Sequence, residues 1–160
     1  MIVVSDTSPI LNLQRVGRVD LLPALYKQVL IPFAVVAELA TFGVGAAFDP
    51  PYAPWLSVAG PADQVIVRRL RNDLDFGEAE AIALAVERRA TLLLMDEKRG
   101  RQIAERLGLS VTGLIGVLAD AKEARLIERV QPVLDDLIAR ARFWIGPEFY
   151  RQVLKELDEM

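Results

Sequence analysis

The 160-residue chain contains no cysteine and no histidine. The first absence removes disulfides, thiolate metal sites and cysteine nucleophiles. The second removes the commonest general base and the commonest zinc ligand. Catalysis, if any, falls to carboxylates, hydroxyls, Lys, Arg or Tyr, and any metal falls to oxygen ligands. No apolar run approaches the roughly 20 residues of a membrane span. The opening residues are too short and too acidic for a signal peptide, so a cytoplasmic location is expected. Net charge is -3 and the pI is about 5.1. This balance argues against a strong non-specific nucleic-acid coat but leaves room for a local basic patch.

What is present is an ordinary, slightly apolar globular composition, 52% hydrophobic and 26% charged. The length suits a single domain over residues 1–160, which buries roughly 70% of its unfolded surface without staples.

"MIVVS" reads as a first strand. Ser8 is a good N-cap and Pro9 a good first helical residue, so a helix is expected just after Asp6, stopping at Gly17. "DLLPALY" is a second helix, "QVLI" a second strand and "PFAVVAELA" a helix opened by its proline. Residues 43–54 are rich in glycine and proline and read as a loop. "WLSVA" is a weak third strand. Helices are expected over 61–74 and 75–89, then a strand at "TLLLM", a helix over 98–108 and a last strand at "LSVTG". From Leu114 onward the chain reads as helical, broken near Pro132 and at 146–148. Short apolar strands alternating with helices predict βαβ units: an α/β fold with a parallel sheet covered on both faces. The helical C-terminal third is expected to pack on the sheet or pair with another subunit.

In such a sheet, ligands bind beyond the carboxyl ends of the strands. Asp6 follows the first strand and Asp96 follows "TLLLM", so two carboxylates converge on one edge. The alternative is that each merely starts the following helix. Glu38 interrupts "FAVVAELA", either as a solvated face or as an inward-pointing ligand. Glu78 and Glu80 lie in "DFGEAEAIALAV". Helical spacing puts Glu78 on the side of Ile82, Ala85 and Val86, and Glu80 on the opposite side near Leu84. A capping box of Asp75 and Glu78 is the competing reading.

Four acids meeting at one edge repel, and a hard divalent cation relieves them. Such a site orients a phosphodiester and activates water. Lys98, Arg99 and Arg101 follow Asp96 and suit phosphate positioning. Arg68, Arg69 and Arg71 read better as a solvated helix face.

"VVSDTSPILNL", "AVVAELA", "LDFGEAEAIALAVER" and "LLLMDEKRGRQIAERLGLSVTG" together resemble the PIN-domain proteins, in particular their prokaryotic subgroup of predicted nucleic-acid-binding proteins. The resemblance covers nearly the whole chain, most weakly over 43–60 and after about 145. It implies a three-layer α/β/α sandwich and an acidic Mg²⁺ or Mn²⁺ site. It also implies ribonuclease activity, in many prokaryotic members as the toxin partnered by a small antitoxin, and commonly a homodimer. Asp6, Glu38, Glu78 and Asp96 match the family's acids, with a glutamate where the third is usually aspartate. Glu80 competes for that third position and Glu97 is a further candidate ligand. Thr7 or Ser8 matches the hydroxyl beside the first acid. The runner-up is a non-catalytic PIN module that binds RNA or protein. A phosphorylated receiver-type switch needs an acceptor aspartate after the third strand, and "WLSVAGPAD" offers none before Asp63.

Overall fold

The computed structural model describes residues 1–48 and 53–160. Five short strands, β1 (Val3–Ser5), β2 (Val29–Ile31), β3 (Leu56–Val58), β4 (Leu92–Leu94) and β5 (Val111–Thr112), form one sheet in the order β3-β2-β1-β4-β5. Every pairing is parallel, with Val4 beside Leu30 and Ser5 beside Leu94. The helices are α1 (Thr7–Arg15), α2 (Leu21–Tyr26), α3 (Phe33–Thr41), α4 (Gln64–Leu70), α5 (Phe76–Glu87), α6 (Lys98–Arg106), α7 (Leu114–Glu123), α8 (Gln131–Arg140) and α9 (Pro147–Glu156). None of them is long and apolar enough to cross a membrane.

The period-2 alternation of strand side chains builds the layers. Val3, Val29, Ile31 and Leu94 face a core with Ile10 and Leu13 of α1, Leu22 of α2, Leu118 of α7 and Leu134 of α8. Their strand neighbours Val4, Leu93 and Met95 face the other way, onto Ile82 and Leu84 of α5 and Ala104 of α6. The result is the α/β/α sandwich expected. The C-terminal helices join the first core through Val133, Leu137 and Ala141.

The first three strands build outward from β1 in one direction, and β4 and β5 continue in the other. The strand order therefore reverses between β1 and β4, the position where open α/β sheets bind ligands. Asp6 and Asp96 flank that point.

Several local expectations are corrected. The Asp6 amide donates to the Leu94 carbonyl at 2.9 Å, so the strand ladder runs on to Asp6, and α1 starts at Thr7, just after Asp6 as expected, with Asp6 in the N-cap position. Ser8 therefore lies inside the first turn and is not its N-cap. The helix expected over 61–74 is shorter: Asp63 caps α4 by accepting from the Val65 and Ile66 amides at 3.0 and 3.3 Å. The break near Pro132 falls just before it, and Pro132 sits in the first turn of α8, where a missing N–H is harmless. The expected loop over 43–54 contains a 3₁₀ turn at Gly45–Phe48, and its residues 49–52 lie outside the described residues. Finally, α5 has no single buried face. All residues from Gly77 to Ala85 are buried, because α5 is packed among α3, α4, α6 and the sheet. Helical spacing alone cannot rank Glu78 against Glu80 on such a helix.

Candidate functional site

Buried β1 delivers Asp6 to the sheet edge, where only 6% of it is exposed. It occupies the N-cap position of α1, yet its side chain makes no cap hydrogen bond. Burial pushes its carboxyl up to about 7, and the charges of Asp75, Glu38 and Asp96 add to this against the Thr7 backbone amide. A cavity of about 290 Å³ opens here, lined by Asp6, Thr7, Ser8, Glu38, Asp75, Glu78 and Glu97, with Leu11 and Phe42 as its apolar walls.

Glu78 belongs both to this cavity and to the capping box. Its amide donates to Asp75 Oδ1 at 2.8 Å, and its Oε1 accepts from the Asp75 amide at 3.4 Å. Its second oxygen, Oε2, is buried without a hydrogen-bond partner among the described residues. Burial, then the hydrogen bond and charge of Asp75, then the charge of Asp6, push Glu78 up to about 8. An unpaired buried carboxylate oxygen is costly.

Two hydroxyls of the first turn of α1 reach neighbouring acids. Thr7 Oγ1 donates to Glu38 Oε2, and Ser8 Oγ donates to Asp96 Oδ2 at 3.2 Å. Asp96 Oδ1 also accepts from the Leu114 amide at 2.7 Å, at the start of α7. Burial raises the Asp96 carboxyl, while that amide, Ser8 and the charge of Arg101 pull it back.

Three glycines let these acids approach the backbone. A Cβ on Gly77 would lie 2.2 Å from Glu38 Oε2, and one on Gly113 would lie 2.8 Å from Asp96 Oδ1. One on Gly100 would lie 2.6 Å from Met95 Sδ and 3.0 Å from Glu78 Oε2. Glycine in a helix is disfavoured by about 1 kcal/mol against alanine, so Gly77 and Gly100 mark close approach.

The other candidates divide. Glu80 is buried, but its Oε1 accepts from the Ala34 amide at 2.9 Å. It thereby satisfies the N-terminus of α3, where Pro32 offers no cap, and it does not line the cavity. Glu97 lines the cavity and caps α6, accepting from the Arg99 amide at 3.3 Å. Lys98 and Arg101 line a neighbouring cavity with Asp96. Arg99 points to Asp73, with which it makes an exposed ion pair at 3.0 Å. Arg71 lies 5.1 Å over the Phe76 ring, on the exposed face expected for that cluster. Asp75, read from sequence only as a cap, is also a wall of the cavity. The glycines were missed as site elements, although "FGEA" and "KRGRQ" each put a glycine inside a helical turn.

The donor set suits a hard divalent cation: it is oxygen-only, acidic, and holds one orphaned oxygen. Among the described residues, however, no three carboxylates stand close enough together, as placed, to hold a metal ion.

An all-parallel α/β/α sheet with acids on both sides of its switch point defines the class. A family model described as PIN domain matches residues 2–159, and the chain belongs to that family. No curated protein matches it. PIN domains are generally nucleases and typically use divalent metal ions.

Proposed function

We propose that the chain is a Mg²⁺- or Mn²⁺-dependent endoribonuclease and the toxin of a toxin–antitoxin pair. The observation that carries this reading is Glu78 Oε2, a buried oxygen without a partner, in one cavity with Asp6 and Glu38. Asp6, Glu38, Glu78 and Asp96 would hold the cation, with Glu97 at the rim. When bound, a divalent cation supplies Lewis acidity toward phosphate oxygens and makes water a usable nucleophile near neutral pH. To serve as ligands, Asp6 and Glu78 would have to be deprotonated. The Thr7 and Ser8 hydroxyls hold Glu38 and Asp96 in orientation. Lys98 and Arg101 position the phosphodiester by charge-assisted hydrogen bonds. On the same reading the chain is one PIN unit over residues 1–160, cytoplasmic and homodimeric, with a small antitoxin as its protein partner.

The test is cleavage of mixed RNA with and without Mn²⁺, by wild type and Asp6→Asn. Metal-dependent cleavage by wild type alone supports the reading. Cleavage that survives chelation or the substitution contradicts it. Growth arrest on expression, relieved by Asp6→Asn, supports the toxin role; no arrest contradicts it. One observation favours the second reading, a non-catalytic module that binds RNA or protein: no three described carboxylates are close enough to hold a metal as placed. Binding of RNA without metal-dependent cleavage would select it.

A further inference from the structure

The acid cavity leaves unexplained a larger one beside it. A space of about 400 Å³ lies on the β5 side of Asp96. Its lining includes Arg101 and Gly113 together with three aromatic residues, Phe143, Trp144 and Phe149. The aromatic residues come from the link between α8 and α9 and from the first turn of α9. In that link, Phe143 and Ile145 pack against the core. Trp144, between them, is turned outward and left 84% exposed. Phe149 is 52% exposed. Among the described residues neither ring pairs with another aromatic ring. Two large rings exposed on one cavity signal a surface made to be covered.

Arg101 adds a charge to the lining. Among the described residues Arg101 makes no ion pair and no side-chain hydrogen bond. Its Nη1 lies over Gly113, where a Cβ would come within 2.9 Å of it and 2.8 Å of Asp96 Oδ1. The cavity thus combines flat apolar rings with one available guanidinium, directly against an acid of the proposed cleavage site. A nucleotide has the matching halves: a base with a π-face and a phosphate. A purely apolar peptide segment would cover the guanidinium without supplying it a hydrogen-bond acceptor, leaving the nearby charge of Asp96 as its one compensation among the described residues.

We infer that this cavity is a base-stacking subsite for single-stranded RNA, holding a nucleotide next to the scissile phosphate against Trp144 and Phe149, with its phosphate on Arg101. The inference rests on the ribonuclease reading for the identity of the polymer. It adds that recognition is built partly from the C-terminal third of the chain.

The probes are fluorescein-labelled oligouridylate and an abasic oligomer of equal length, titrated by anisotropy in chelator, so that no cleavage enters. Trp144→Ala should weaken oligouridylate binding about tenfold, the order expected for loss of one stacked base. Phe149→Ala should weaken it several-fold, and Trp144→Phe should restore most of the loss. The abasic oligomer should bind wild type and variants alike. Trp144 is so exposed that the substitutions leave the core intact, which equal melting curves verify; Phe149→Ala provides an independent second reading. Unchanged oligouridylate affinity in both alanine variants overturns the subsite. So does an equal loss on the abasic oligomer. RNA affinity unchanged while the particle mass falls would assign the rings to a protein contact instead, and would equally overturn it. Because binding is read without metal, an inactive wild type would end the nuclease reading and leave this result standing. Conversely, an active enzyme with unaffected variants would end the subsite alone.

Discussion

Two buried carboxylate sites, one at Glu159 and one at Asp6 and Glu78, are treated in opposite ways. Glu159, with 2% of its side chain exposed, accepts from the Val130 and Gln131 amides at 2.7 and 2.8 Å and pairs with Lys122 at 3.0 Å. It caps α8, and Lys122 also donates to the Leu157 carbonyl. Burial alone would raise its carboxyl, but the two amides and the Lys122 ammonium outweigh this and hold it below the usual range. Asp6 and Glu78 are buried as well, yet acids surround them and both are pushed far up. The chain satisfies a carboxylate fully where it serves the fold. At the switch point it buries two among other acids and, among the described residues, leaves Glu78 Oε2 without a partner, a stability liability that a bound cation would relieve.

The largest stability effect should follow from breaking the satisfied site. Glu159→Gln keeps the shape but removes the charge from the α8 cap and from Lys122. By the usual magnitudes for caps and charged hydrogen bonds, it should cost about 2–3 kcal/mol in urea unfolding. The pH sign is that of a lowered carboxyl. Its stabilisation is present above the ordinary value of 4.5 and lost as pH falls through the lower folded value. The gap between wild type and variant should therefore shrink only below about pH 4.5, and Mn²⁺ should not change it.

The acid site should give the opposite profile. The Asp6 carboxyl is raised from 3.8 to about 7 and that of Glu78 from 4.5 to about 8. Unfolded chains ionise first, so their contribution is full below the ordinary values and lost as pH climbs through the folded ones. Metal-free protein should lose on the order of 2 kcal/mol between pH 4 and pH 8 through these groups. Urea titrations at several pH values, in chelator, would show it. A metal-free stability that rises across this range in Glu159→Gln would contradict the assignment.

Gly77→Ala should separate site from fold. Its Cβ meets the end of the Glu38 side chain, which can swing aside, and alanine favours helix by about 1 kcal/mol. Metal-free stability should stay within about 1 kcal/mol of wild type. Mn²⁺ affinity, read by the shift in melting point, should fall about tenfold or more. The smallest effect belongs to Arg99→Ala. Its ion pair with Asp73 is about half exposed on both sides, so loss should stay under about 0.5 kcal/mol. Loss of RNA binding should be smaller than for Arg101→Ala, measured by the same titration.

These contrasts follow how far each feature was legible in sequence. The sheet and the edge positions of Asp6 and Asp96 were readable because they rest on local signals, short apolar runs ended by an acid. The helix start just after Asp6 was readable from Ser8 and Pro9, but the Asp6–Leu94 backbone bond, which depends on a distant strand, puts Asp6 rather than Ser8 at the N-cap position. Glu78 was readable as a candidate but not separable from Glu80, since α5 is buried all round and its pattern has no preferred face. Its two roles, cap and cavity wall, coexist on its two oxygens. The Glu159 cap was invisible because its partner Gln131 lies 28 residues away. The exposed ring of Trp144 emerges only from the fold of the α8–α9 link.

The most direct test of the central claim is thermal melting of wild type and Asp6→Asn, each in chelator and in Mn²⁺. Metal that binds only the native state raises its melting point. Wild type should melt higher with Mn²⁺, and Asp6→Asn should not respond while melting in chelator at or slightly above wild type. No metal response in wild type, or the same rise in the variant, would contradict a metal site at Asp6.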